Sequence, residues 1–251
     1  MPLFYKTREV ERALSLIDTA VTSSGHVWIR GDAGLGKTYL GEQIERTWKA
    51  DKKGWGCIRF RYPDQSTHLS SALSHAVTGN AAGLSIEDLV PLLLGMVNST
   101  YGLLLFVDNV PDEEKGLSWL MKLMSSMSRA TAGFGMVMTS ACRSDDLFTV
   151  NHVPHSVRHH PTFLDTVTLK SLSEAEMMEF LGAAIPAMKP VTEGFFLTPS
   201  PDKDALEIAR LLHNESRGVF LTLAMLVRLL EPLPKITLAK VKEVIRRRHG
   251  R

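Results

Sequence analysis

The segment Gly31-Asp32-Ala33-Gly34-Leu35-Gly36-Lys37-Thr38 constrains this chain more than any other part of it. It has the spacing Gly, four residues, Gly-Lys-Thr without a mismatch. Glycines let a backbone curl until several N–H groups point at one spot, a concavity that suits phosphate oxygens. A helix starting near Lys37 would add the positive end of its dipole. His26–Arg30, short and β-prone, precedes the motif, and Leu40, Ile44 and Trp48 recur at helical spacing through Lys37–Ala50. Strand, glycine turn and helix in that order are the context of a phosphate cradle. Residues 31–38 and the following Tyr39 are therefore the expected nucleotide-binding set. Lys37 would reach the β and γ phosphates, and the Thr38 hydroxyl would hold Mg²⁺.

A second feature completes the first. Leu103-Leu104-Leu105-Phe106-Val107-Asp108 is an apolar run closed by an acid. Such a run suits a central strand buried on both faces. Asp108 would then stand at the C-terminal edge of the sheet, beside the glycine turn, and hold Mg²⁺ directly or through water. This is the Walker B pattern, weak alone and informative beside a P-loop.

Asn109 follows Asp108. Asn can orient a water but cannot take its proton at neutral pH. Either hydrolysis is slow and the chain is a nucleotide-dependent switch, or Asp112, Glu113 or Glu114 serves as base; the first is the expectation. The next core strand ends in Met136-Val137-Met138-Thr139-Ser140, where Thr139 or Ser140 would meet the γ-phosphate as a sensor or simply close the strand.

Strand and helix signals alternate as far as Leu169 and imply βαβ units with a mostly parallel sheet. The strands are expected at His26–Arg30, Cys57–Tyr62, Gly102–Val107, Gly133–Ser140 and Thr166–Leu169. Helices are expected at Glu9–Ser23, Lys37–Ala50, Leu69–Val77, Ile86–Val97 and Lys115–Met127. Beyond lie only helical patterns, at Ser173–Ala184, Lys203–Leu212, Val219–Leu230 and Leu238–Arg248. Ser173 with Glu176 reads as an N-cap. Pro186, Pro190, Pro199 and Pro201 suggest a long linker. The expectation is a three-layer α/β P-loop core over residues 1–171 and a small helical lid over 172–251.

With these parts placed, the chain resembles the AAA+ and related STAND ATPases, most of all the compact ExeA-type, origin-recognition and TnsC/MuB transposition-regulator group. Phe4-Tyr5-Lys6-Thr7-Arg8-Glu9-Val10 is similar to their approach to the P-loop. Val167 through Glu176 resembles their last core strand running into the lid, and Ser216-Arg217-Gly218 their sensor-2 region. The resemblance implies sheet order 5-1-4-3-2, Mg·ATP as cofactor and ATP hydrolysis, which Asn109 is expected to make slow. It also implies a homo-oligomer in the ATP state, and a partner protein or DNA. An arginine finger would come from Arg143 or Arg158. Two departures stand out. Asp108-Asn109 is more like a STAND ending, which leaves open a signalling module that acts through protein partners without DNA. Phe220 and Leu221 occupy the place of the sensor-2 arginine, for which Arg217 is the substitute.

Charge bears on the partner. The net charge is only +2, yet Lys235–Arg251 carries seven basic residues against Glu243. Arg246, Arg247 and Arg248 are the candidate DNA contacts, or else a solvated helix end that complements the helix dipole. His152, His155, His159 and His160 have metal-like spacing. Pro154 and Pro161 suggest a loop there, with no accompanying cysteine, so no metal site is expected. No apolar run approaches the ~18 residues of a membrane span. Cys57 and Cys142 fit free thiols in a reducing, cytoplasmic setting.

Overall fold

The computed structural model describes residues 7–51, 54–111, 114–141, 153–197 and 201–249, and leaves aside the side chains of 49–51, 67 and 114–116. The chain divides into two compact units. One comprises Arg8–Ala33 and Lys37–Leu169; the other holds Lys170–Arg251 together with Gly34–Gly36.

The first unit is built on five strands: β1 (His26–Gly31), β2 (Trp55–Arg61), β3 (Gly102–Asp108), β4 (Phe134–Ala141) and β5 (Phe163–Thr168). All neighbours pair in parallel, in the order β2-β3-β4-β1-β5, which read from the other edge is 5-1-4-3-2. β1 and β3 are buried along their whole length, and β4 all but its last residue. Covered on both faces, such strands read as continuous apolar runs, which is why Gly102–Val107 was legible. The edge strands β2 and β5 are only half-buried. Hence β5 starts at Phe163, three residues before its sequence signal.

Side chains alternate between the two faces. Leu103, Leu105, Val107, Met136 and Met138 face one core with α3 (Leu69–Thr78), α4 (Ile86–Asn98) and α5 (Glu114–Ala130). On α5, Met121, Met124 and Met127 are ordinary core residues, and Trp28 of β1 is wholly buried. The opposite face meets α1 (Arg8–Thr22) and α2 (Lys37–Asp51). Here Gly41 of α2 lies so close to β3 that a Cβ would stand 2.6 Å from the Phe106 ring.

The second unit packs α7 (Glu174–Ala184), α8 (Lys189–Phe196), α9 (Lys203–Ser216), α10 (Phe220–Leu230) and α11 (Leu238–His249) around its own apolar cluster. Ser173 and Glu176 form the expected capping box. The stretch read as a linker contains a 3-10 turn at Pro186–Met188 followed by α8. Pro186 and Pro190 sit in first-turn positions, where the missing N–H has no helical partner to lose. For a similar reason Pro154 caps a short helix, α6 (His155–Arg158), where a loop was expected; the Arg158 N–H donates to Pro154 O at 3.0 Å. Among the described residues no helix is long and apolar enough to cross a membrane.

The histidines fall into two environments. His155 and His159 face each other at the surface, ring centroids 4.0 Å apart. His152 lies outside the described residues, and no cluster of three or more His, Cys, Asp or Glu placed to hold a metal occurs among those described. His26, at the start of β1, is fully buried. Its Nδ1 lies 2.9 Å from Thr162 Oγ1, its Nε2 3.3 Å from Val157 O, and its ring 5.3 Å from that of His160. Burial, and secondly the charge of His160, lower the His26 pKa to about 4.

His26 is therefore neutral in the fold, while the unfolded chain takes up a proton near pH 6.5. Its share of stability is complete above that pH and is lost as pH falls towards 4, about 2 kcal/mol between pH 7 and pH 5. Urea unfolding at the two pH values should show the loss, and His26→Gln should remove that part of the pH dependence. An unchanged slope in the variant would refute the assignment.

Candidate functional site

β1 delivers the chain to the C-terminal edge of the sheet, and α2 begins at Lys37. The turn between them needs glycine: Gly34 and Gly36 have φ of +85° and +88°, a region closed to most side chains. Lys37 is buried, and its Nζ donates to Gly31 O at 2.6 Å and to Asp32 O at 2.8 Å. The ammonium is thus held inside the curl by the carbonyls of the turn.

One residue on, Thr38 Oγ1 donates to Asp108 Oδ2 at 2.7 Å. Thr139 Oγ1 donates to Asp108 Oδ1 at 2.6 Å. The carboxylate is buried, 5% exposed, and both of its oxygens are hydrogen-bonded. It therefore escapes the cost of an unpartnered buried charge. The structure thereby unites Lys37, Thr38, Asp108 and Thr139, which lie as much as 102 positions apart in the sequence. Thr38 Oγ1 and the Asp108 carboxylate are hard oxygen donors side by side. This donor set fits Mg²⁺, which takes one or two protein oxygens and keeps several waters.

Asn109 lies beyond the carboxylate with φ +60°. Its N–H donates to Thr139 Oγ1 at 3.0 Å, and the Val110 N–H donates to Thr139 O at 2.6 Å. Asn is among the few residues that tolerate this left-handed backbone. The identity of residue 109 is thus matched to its conformation.

Thr139 and Ser140, equivalent in the sequence, separate by strand alternation. Thr139 faces Asp108, whereas Ser140 turns to the other face, buried beside Arg30 in register, its Oγ without a hydrogen-bond partner. Tyr39 is half-buried, and burial pushes its phenol pKa up. In the second unit, the Leu221 N–H donates to Gly34 O at 3.1 Å. Leu221, next to Phe220, thus meets the tip of the glycine turn through its backbone. Arg217, at φ +52°, is exposed on the joint between α9 and α10.

Arg158 lies on α6, which precedes β5 at the N-terminal edge of the sheet. That edge is the length of β1, about 17 Å, from the glycine turn. Its Nη2 is 3.2 Å from His159 Nε2, and it does not join Lys37 and Asp108 of its own chain. Arg143, Asp112 and Glu113 lie outside the described residues, as does the side chain of Glu114. On α11, Arg248 pairs with Glu215 and Arg247 with Glu243. Arg246 is exposed and has no ion-pair partner among the described residues.

Three features escaped the sequence reading. The first is the attachment of Thr139 to Asp108. The second is the close approach at Gly41, which sets α2 against β3 and brings Thr38 to the carboxylate. The third is Arg61, exposed at the end of β2 in register with Asp108. Of these only Gly41 left a trace, a glycine in a helical pattern.

Compared by sequence, the chain matches no family model and no curated protein. Compared by structure, it is similar to the Walker-type ATPase of Pyrococcus abyssi, with TM-score 0.63 and 11% identity over 98% of this chain and 73% of that one. It is similar to the ORC1 protein of Aeropyrum pernix solved in complex with DNA, with TM-score 0.57 and 14% identity over 95% and 64%. It is also similar to AMPPCP-bound DnaA from Aquifex aeolicus, with TM-score 0.54 and 15% identity over 92% and 63%. The fold is the AAA+-like α/β arrangement with helices at its C-terminal end.

The backbone at residue 109 yields a direct test. Asn109→Gly should unfold in urea within ~0.5 kcal/mol of the parent, whereas Asn109→Val should lose about 1–2 kcal/mol. Equal losses would remove backbone conformation as the reason for asparagine there.

Proposed function

We propose that this chain binds Mg·ATP at the P-loop and acts as a nucleotide-dependent switch with slow hydrolysis. In the ATP state it assembles with further copies and recruits or remodels a partner protein or DNA. The observation that carries this reading is the Asp108 carboxylate at the mouth of the glycine turn, hydrogen-bonded to Thr38 beside the buried Lys37. Structural similarity to a Walker-type ATPase and to AMPPCP-bound DnaA supports it.

The residues divide the work. Main-chain N–H groups of residues 31–38 hold the phosphates, and Lys37 supplies positive charge beside them. Thr38 and Asp108 would hold the magnesium ion, which when bound neutralises charge developing on the phosphates. Asn109 lacks a carboxylate, so it orients a water without accepting its proton. Slow turnover follows, and a long-lived ATP state is what a switch requires. Arg158, at the far edge of its own sheet, is proposed to serve a neighbouring copy rather than its own P-loop.

DNA is the proposed partner for α11, supported by the similarity to ORC1 in complex with DNA. Arg246 is the principal contact, because Arg247 and Arg248 are engaged by Glu243 and Glu215.

Calorimetry with Mg·ATP should give a binding heat for the parent and none for Lys37→Ala; equal affinity in both would defeat the site. Asn109→Asp and Asn109→Glu should raise turnover if a missing base limits it, and unchanged turnover in both would exclude that explanation. Arg246→Ala should weaken DNA binding and flatten its salt dependence by ~1 in slope. A parent protein with no salt-sensitive DNA binding removes the nucleic-acid branch.

A further inference from the structure

The two oxygens of the Asp108 carboxylate are not equivalent. Oδ2 accepts from Thr38, an exposed residue at the start of α2. Oδ1 accepts from Thr139, which is fully buried near the end of β4. A hydroxyl has one proton. At Thr139 that proton lies on the 2.6 Å bond to Asp108, and the oxygen also accepts the Asn109 N–H at 3.0 Å. The donor is therefore committed to the carboxylate.

The threonine is itself held in place. Its main chain pairs with β1 through the Ile29 register, and its carbonyl accepts the Val110 N–H at 2.6 Å. Its side chain is β-branched, with restricted freedom at χ1.

We infer that Thr139 is a positioning residue that fastens Oδ1 of Asp108 and so presents Oδ2 alone, beside Thr38, as the carboxylate's oxygen for a divalent ion. The inference rests on the reading of Asp108 as a magnesium ligand. It assigns Thr139 to the carboxylate rather than to the γ-phosphate. Partners of this kind, which orient a ligand without touching the ion, alter metal affinity by about 10–100-fold when removed. The same hydroxyl fastens residue 109, so one side chain sets both the acid and the residue after it.

The test compares Thr139→Val, which keeps the shape and loses the hydroxyl, with Thr139→Ser, which keeps the hydroxyl. ATP affinity is measured by fluorescent-nucleotide displacement across a magnesium titration and again in EDTA. Thr139→Val should require about 10-fold or more magnesium for half-maximal tightening, with affinity in EDTA within about twofold of the parent. Thr139→Ser should restore the parental requirement. If Thr139→Val does not fold, judged by circular dichroism, Thr139→Ala supplies the same comparison. A parental magnesium requirement in the hydroxyl-free variant overturns the inference, as does an equal loss with and without magnesium. If the parent binds ATP with no magnesium dependence, the assignment of Asp108 as ligand fails, and this inference with it. That result is read on the parent alone and is distinct from a failure seen only in the variants.

Discussion

A carboxylate almost removed from water is tolerable only when its oxygens are satisfied, and at Asp108 this requirement organises the molecule. The two hydroxyls come from different elements, Thr38 on α2 and Thr139 on β4. Thr139 reaches Asp108 because β4 is the neighbour of β3. Thr38 reaches it because α2 lies on the face of β3 from which Asp108 projects. A sheet with β1 beside β3 would leave no place for Thr139. Strand order and site are in this sense a single constraint.

Close packing carries that constraint to the glycine turn. Gly41 lets α2 approach Phe106 where any side chain would hold it away. The first turn of α2, with Lys37 and Thr38, is thus set by contact made one turn further along the helix. At the other side of the carboxylate, Thr139 draws in the Asn109 N–H, and the chain leaves β3 through a left-handed residue. Backbone geometry thus bears on the same residue to which the proposed function assigns the water. An asparagine there suits the conformation and withholds a base.

Charged and titratable groups elsewhere take their character from partners rather than from composition. The basic run at the end of the chain looks uniform on paper. In the fold, Glu215 of α9 holds both Arg248 and His249, Glu207 holds Lys242, and Arg246 is left to solvent. The histidines divide likewise, with His26 dehydrated at the foot of β1 and His155 and His159 at the surface. The exposed pair of Lys242 with Glu207 contributes little to stability. Burial of an imidazole makes folding depend on pH.

Much of this was legible in the linear chain because its signals are local or periodic. The glycine turn is contiguous, so it could be read with its strand and helix. The central strands announce themselves because both faces are buried, and the cap at Ser173 is a four-residue pattern. The start of the half-exposed edge strand β5, and the helical turns that carry Pro186 and Pro190 at their starts, differ from expectation for a matching reason: weak burial blurs periodicity, and proline marks a helix start as readily as a break. What the sequence determined by itself was a glycine turn of P-loop spacing between a strand and a helix, and an acid at the end of a buried strand. Which oxygen of that acid meets Thr38, that Thr139 and not Ser140 holds the other, and which of Arg246, Arg247 and Arg248 has no ion-pair partner among the described residues were decided only in three dimensions. Each depends on elements brought together across tens of residues, and no local pattern encodes such a meeting.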